Sequence, residues 1–141
     1  MAELIITAGE VKPGSGAKIL HKPIGELIDA GKAVADVSGT LWLFEADHTT
    51  TTKAVFAGIA INKGYLAGQY VGYVHEGAVI IGTSAAPTLG KVYLGGRTAG
   101  SMAPAGDTTN TGRVNVVGVC TETTSGTITV NKYDSGVNGT I

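Results

Sequence analysis

The chain has 141 residues, the length of one ordinary domain. Hydrophobic residues make up 43% and charged residues 15%, a balance that excludes a disordered chain. A net charge of −1, with no long basic run, lacks the footprint of a nucleic-acid binder.

Residues Met1 to Thr7 carry no basic segment and no long apolar stretch, so no export signal is expected. Residues 1–24 read as an extended N-terminal arm. Glu10 to Lys18 is punctuated by Gly14 and Gly16, and Pro23 keeps His21-Lys22 out of the helical region. Such an arm can order on a partner. Residues 25–141 are expected to form a single β domain.

Its 22 glycines cut the domain into short runs. Helical periodicity is hard to find. Thr49 to Thr52 interrupt the best candidate, Leu41 to Phe56, with β-branched residues. Strands are expected at Leu4–Thr7, Thr40–Phe44, Lys53–Ile61, Gln69–Val74, Ala78–Ile81, Lys91–Leu94, Arg113–Val119 and Thr127–Val130. Gly95-Gly96 reads as a tight hairpin turn. Asn131 to Ile141 reads as a polar tail or an exchanged edge. Many short strands with turns between them predict an all-β fold, a small sandwich or barrel. The longest apolar run, Ala54 to Ile61, contains Gly58 and is far too short to span a membrane.

The chain also resembles itself. Asp47 precedes Gly58 by eleven residues, as Asp107 precedes Gly118. Thr49, Thr51 and Lys53 then match Thr109, Thr111 and Arg113, and Ile59 matches Val119. Gly31-Lys32-Ala33-Val34 matches Gly90-Lys91-Val92-Tyr93. Downstream, Gly68-Gln69-Tyr70-Val71 is aligned with Gly126-Thr127-Ile128-Thr129, with two residues deleted from the connection. The expectation is two pseudo-repeated glycine-rich units, at about 31–74 and 90–130, that pack to close a core. Gly58 and Gly118 would mark bulges or sharp bends.

Catalytic constellations are absent at the level of spacing. His21, His48 and His75 show no metal-ligand pattern, and the lone Cys120 completes no zinc set. Cys120 is expected as a half-buried strand thiol. Glu45 and Asp47 would share a strand face, but a carboxylate pair beside threonines reads as a solvated loop entry. Gly14-Ser15-Gly16 is no nucleophile elbow. Leu94-Gly95-Gly96-Arg97 lacks the ending of a phosphate loop. Neither an enzymatic activity nor a cofactor is expected. Trp42 and Phe44, if on one strand face, are read as core.

Gly31-Lys32-Ala33-Val34, Phe56-Ala57-Gly58-Ile59-Ala60-Ile61 and Ala67-Gly68-Gln69-Tyr70-Val71 together resemble the small cement or head-decoration proteins of tailed bacteriophages. Gly77-Ala78-Val79-Ile80, Gly90-Lys91-Val92-Tyr93-Leu94 and Val117-Gly118-Val119 extend the resemblance over roughly residues 25–130. It implies a virion component made in the bacterial cytoplasm, a homotrimer on the outer capsid surface that clamps neighbouring subunits of the major capsid protein. The candidate capsid-binding residues lie on the arm: Ile5, Val11, Lys12, Lys18, Ile19 and Leu20. The long arm and the loop Thr98 to Gly112 depart from the family pattern. The alternatives are a phage tail or baseplate β-module, or a carbohydrate-binding β-sandwich.

Overall fold

β-branched and aromatic runs cut by glycine form strands here, and no α-helix occurs among the described residues. The structure is a computed structural model that describes residues 3–46, 48, 50–105 and 113–138. Its strands are β1 (Lys12–Pro13), β2 (Lys18–Pro23), β3 (Ala33–Val37), β4 (Thr40–Leu43), β5 (Gly58–Ala60), β6 (Tyr70–Ile80), β7 (Val92–Gly95), β8 (Met102–Pro104), β9 (Arg113–Glu122) and β10 (Thr127–Asn138). They pair antiparallel into one curled sheet, ordered β4-β3-β5-β6-β10-β9-β7-β8, with β1 and β2 also on β6. The fold is all-β, as the sequence predicts.

β3 lies between β4 and β5, and β7 lies between β8 and β9. Ala33 and Val34 pair with Ile59 and Gly58, while Val92 and Tyr93 pair with Val119 and Gly118. The Gly31 amide donates to the Ala60 carbonyl at 2.8 Å, and the Gly90 amide to that of Cys120 at 2.9 Å. The downstream alignment needs correcting. Ile59 and Ala60 pair with Val74 and Tyr73, whereas Val119 and Cys120 pair with Thr129 and Ile128. Fifteen positions separate Ile59 from Val74 and ten separate Val119 from Thr129, so the first connection is longer by five residues.

β6 organises the molecule. The two strands expected at Gln69–Val74 and Ala78–Ile81 are one, continuous through Gly77. Gly77 has φ +94°, and a Cβ there would lie 2.2 Å from the Gly16 carbonyl oxygen. Its first half pairs with β5 and β2, its second with β10 and β1. The curl then brings Ile24 beside Leu41 of β4, and the Gly100 amide to the Phe44 carbonyl. One apolar cluster, Ile24, Ile28, Val34, Leu41, Ala60, Val71 and Tyr73, fills the inside of this curl. A larger one, with Phe44, Phe56, Ile59, Val74, Tyr93, Met102, Val117 and Ile128, lies between the two halves. Phe44 and Phe56 meet there edge to face at 6.1 Å.

The sequence predicts an extended arm over residues 1–24, and the structure lays its described part on the chain's own sheet. Lys12–Pro13 and Lys18–Pro23 run along the flank of β6, and Val11 is buried in the larger cluster. The Leu4 amide donates to the Met102 carbonyl at 2.8 Å, which covers the β8 edge. The cause is the length of β6: eleven residues leave a flank that only this segment pairs. A chain starting at Ile24 should therefore be destabilised rather than merely shortened. Its thermal midpoint is expected to fall by at least about 10 °C. An unchanged midpoint and far-UV circular dichroism would show that the segment is dispensable.

Other boundaries move for local reasons. Leu4–Thr7 forms no strand, and Thr51–Ala54 is a short 3-10 turn leading into β5. Gly95 pairs with Met102 across a loop from Gly96 to Ser101, so Gly95-Gly96 is not a two-residue turn. A Cβ on Gly95 would lie 2.1 Å from the Phe44 ring, so its role is to let that ring into the core. The segment from Asn131, expected as a polar tail or an exchanged edge, is strand as far as Asn138. Asp47, Thr49 and residues 106–112, where the repeat's Asp and threonine matches fall, lie outside the described residues.

Candidate interaction surface

The side chains singled out on the arm scatter once folded. Ile5 is 83% exposed beside the β8 edge, and Val11 is buried. Lys12 is exposed on β1. Lys18 pairs with Glu76 at 2.6 Å on the surface. Ile19 and Leu20 are neighbours on β2, partly exposed on its opposite faces.

Other exposed apolar side chains lie outside the arm. Tyr65, Leu66 and Tyr70 are 62%, 70% and 67% exposed, and Leu27 is 54% exposed. Their backbones are locked. Ile28 and Gly64 exchange amide–carbonyl bonds of 3.2 and 2.8 Å, which sets Leu27 opposite Tyr65. The Gln69 side-chain oxygen accepts from the amides of Tyr65 at 2.6 Å and Leu66 at 3.0 Å. The Gln69 carbonyl accepts from Ile24, and the Ile24 carbonyl from Gly68. Gly64 sits over Ile24, where a Cβ would lie 2.3 Å from the isoleucine methyl. Lys63 lies over the Tyr65 ring at 4.9 Å.

The signal for this loop was in the sequence. Tyr65-Leu66 stands between Gly64 and Ala67-Gly68, so two large apolar residues occupy a turn, where small polar residues are usual. A second group, Leu89 and Val92, is 63% and 36% exposed before and at the start of β7. Trp42 and Phe44 part company. Phe44 enters the core, while Trp42 is half-buried between Gly25 and Lys53, whose ammonium lies 3.8 Å from the ring centre.

Charged groups are paired on the surface. The Ser84 hydroxyl bonds Glu10 at 2.5 Å and holds its carboxyl below the ordinary range. The Lys18 ammonium does the same for Glu76, and the Ser125 hydroxyl for Glu122. Asp36 holds Lys22 above its usual range. Burial pushes the Lys132 ammonium down, and it donates to the Ala57 carbonyl at 3.2 Å. These pairs fasten loops and strand ends, and none encloses a site.

Among the described residues no group of three or more His, Cys, Asp or Glu is placed to hold a metal ion. No described helix is long and apolar enough to cross a membrane. Cys120 is fully buried rather than half-buried, with its thiol 3.7 Å from the Glu122 carbonyl. Two surface hollows of about 380 and 390 Å³ flank Tyr93 and Glu10. Neither is lined by the exposed tyrosines Tyr65 and Tyr70. No family model, curated protein or solved structure matches the chain.

Proposed function

We propose that this protein is a structural component of a phage virion. It binds the outer surface of the assembled head as a homotrimer and cements neighbouring subunits of the major capsid protein. The observation that carries this reading is a hydrogen-bonded all-β framework that leaves large apolar side chains outside. Ile5, Leu27, Tyr65, Leu66, Tyr70 and Leu89 are each more than half exposed. Apolar groups held out on a rigid frame suit association with other proteins. Weak contacts repeated over a symmetric shell add by multivalency. The glycine-centred motifs that resemble those of phage head-decoration proteins suggest the major capsid protein as the partner.

The test is the solution mass of the purified protein, followed by sedimentation with expanded, DNA-free phage shells. Trimers that co-sediment at a saturable ratio support the reading. Monomers or long polymers that leave the shells bare overturn it.

A further inference from the structure

We propose that residues 3–13 form a strap exchanged between copies of this chain, each strap lying in the seat of a neighbouring copy. The inference goes beyond the cementing function and does not rest on it.

The seat is shaped for one sequence. A Cβ on Gly31 would lie 2.6 Å from a methyl of Ile6 and 3.1 Å from a methyl of Val11, so these two side chains fill the space the glycine leaves. Val11 is buried in the larger cluster, and Leu4 and Ile6 pack against it. Lys12 and Pro13 stand opposite Ile80 and Val79 of β6. The Thr98 hydroxyl donates to Glu3 at 2.9 Å, and the Ser84 hydroxyl to Glu10 at 2.5 Å. The strap thus meets the first half at Gly31 and the second at Ser84, Thr98 and Met102. The occupant that fits this seat is the strap itself, and a second copy of the chain carries the same one.

The backbone holds the strap at few points. Among the described residues, one backbone bond outside β1 fastens residues 3–11 to the sheet, from the Leu4 amide to the Met102 carbonyl at 2.8 Å. Pro13 brings no amide to the β1 pairing. β2, by contrast, is paired with β6 along all of its six residues. A segment with so few backbone bonds opens at less than the cost of global unfolding.

The join between strap and β2 supplies slack. Both β1 and β2 run antiparallel to β6. Five positions separate Pro13 from Lys18, while three separate Val79 from Glu76 opposite them, so residues 14–17 hold two more residues than the path needs. Gly16 takes φ +72° there with open space around it. Drawn out, two residues add about 7 Å of reach. Opening leaves backbone groups of β6 unpaired at Val79 and Ile80, and the β8 edge bare at Met102. A neighbour's strap restores each of these contacts, so exchange changes the net bonding little and local concentration governs it. Passed from copy to copy, the straps close a ring.

The experiment uses the native chain. Equal amounts of isotope-labelled and unlabelled chain are unfolded together in urea and refolded at about 1 mM, where a neighbour competes with a short tether. Isotope-filtered NOE spectra then record contacts between a labelled and an unlabelled chain, and unfiltered spectra record all contacts. The Gly31 α protons should meet the methyls of Ile6 and Val11 across the label boundary in about half of the seats, since a ring draws each strap from either kind of neighbour. Contacts present in the unfiltered spectrum and absent from the filtered one would show that each strap stays on its own chain, and would overturn the exchange. Contacts absent from both would show that the strap leaves the seat empty, and would overturn it as well. Neither outcome bears on co-sedimentation with shells, so the cementing function is judged separately.

Discussion

Gly58→Ala and Gly118→Ala are each expected to cost about 3 kcal/mol of folding stability or more, with Gly118→Ala the worse of the two. Neither glycine has a positive φ, so backbone freedom is not the reason. The reason is space. A Cβ on Gly58 would lie 2.4 Å from the Val74 carbonyl oxygen, and one on Gly118 only 2.0 Å from that of Thr129. Val74 and Thr129 are the residues paired with Ile59 and Val119, so each half brings a neighbouring strand's backbone against the same glycine. A backbone carbonyl cannot swing aside as a flexible side chain does. Relief requires parting β5 from β6, or β9 from β10, and so opening the larger core. Two other positions separate this effect from ordinary glycine replacement. Gly39 has φ +88° and open space, so Gly39→Ala should cost about 1 kcal/mol from backbone strain alone. Gly9 has open space and no positive φ, so Gly9→Ala should be nearly neutral. Urea unfolding of the four variants gives the order directly. If Gly58→Ala and Gly118→Ala were as mild as Gly9→Ala, the close approach of the strands would be wrong.

Those two glycines show what could be read beforehand. They stand out in sequence because similar residues surround them at similar spacing, and the structure sets both against a partner strand at matching registers. Gly118 also lies beside the register shift between Tyr93 and Leu94, where the sequence expects a bulge. What could not be read is where chain segments lie relative to one another. Lys18 to Pro23 has an extended pattern that fits an arm and an edge strand equally well. Only the length of β6 decides between them, and glycine at position 77 hid that length by dividing the strand's pattern in two. The exposed apolar side chains of Leu27, Tyr65 and Leu66 were missed for a related reason. Tyr65 and Leu66 lie in a glycine-bounded turn, and Leu27 is 38 residues upstream of Tyr65. The Ile28–Gly64 bridge brings them together, and such a bridge leaves no periodicity in sequence.

Asn115→Ala is expected to cost about 3 kcal/mol, or roughly 12 °C in thermal midpoint for a chain of this size. Asn115 is 1% exposed on β9 and faces the segment between the 3-10 turn and β5. Its side-chain oxygen accepts from the Phe56 amide at 3.0 Å, and its side-chain nitrogen donates to the Ala54 carbonyl at 2.8 Å. One amide therefore satisfies a donor and an acceptor on a segment with no strand partner there. It also anchors Phe56, whose ring meets Phe44 between the halves. Alanine leaves both backbone groups buried and unpaired, each at a cost of about 1–3 kcal/mol. Asn115→Asp separates the two bonds. An ionised carboxylate can still accept from Phe56, but it has no proton for Ala54 and places charge in the core. Burial would raise the carboxyl's folded pKa above its unfolded value of about 3.9. The variant's stability relative to the native protein is then fullest below that unfolded value. It is lost as pH rises through the raised folded value, when the protonated acid stops donating. The gap in thermal midpoint between Asn115→Asp and the native chain should widen from pH 4 to pH 8, while the gap for Asn115→Ala stays level. A level gap for both variants would mean that the aspartate escapes to solvent, and that the segment carrying Phe56 is not clamped by residue 115.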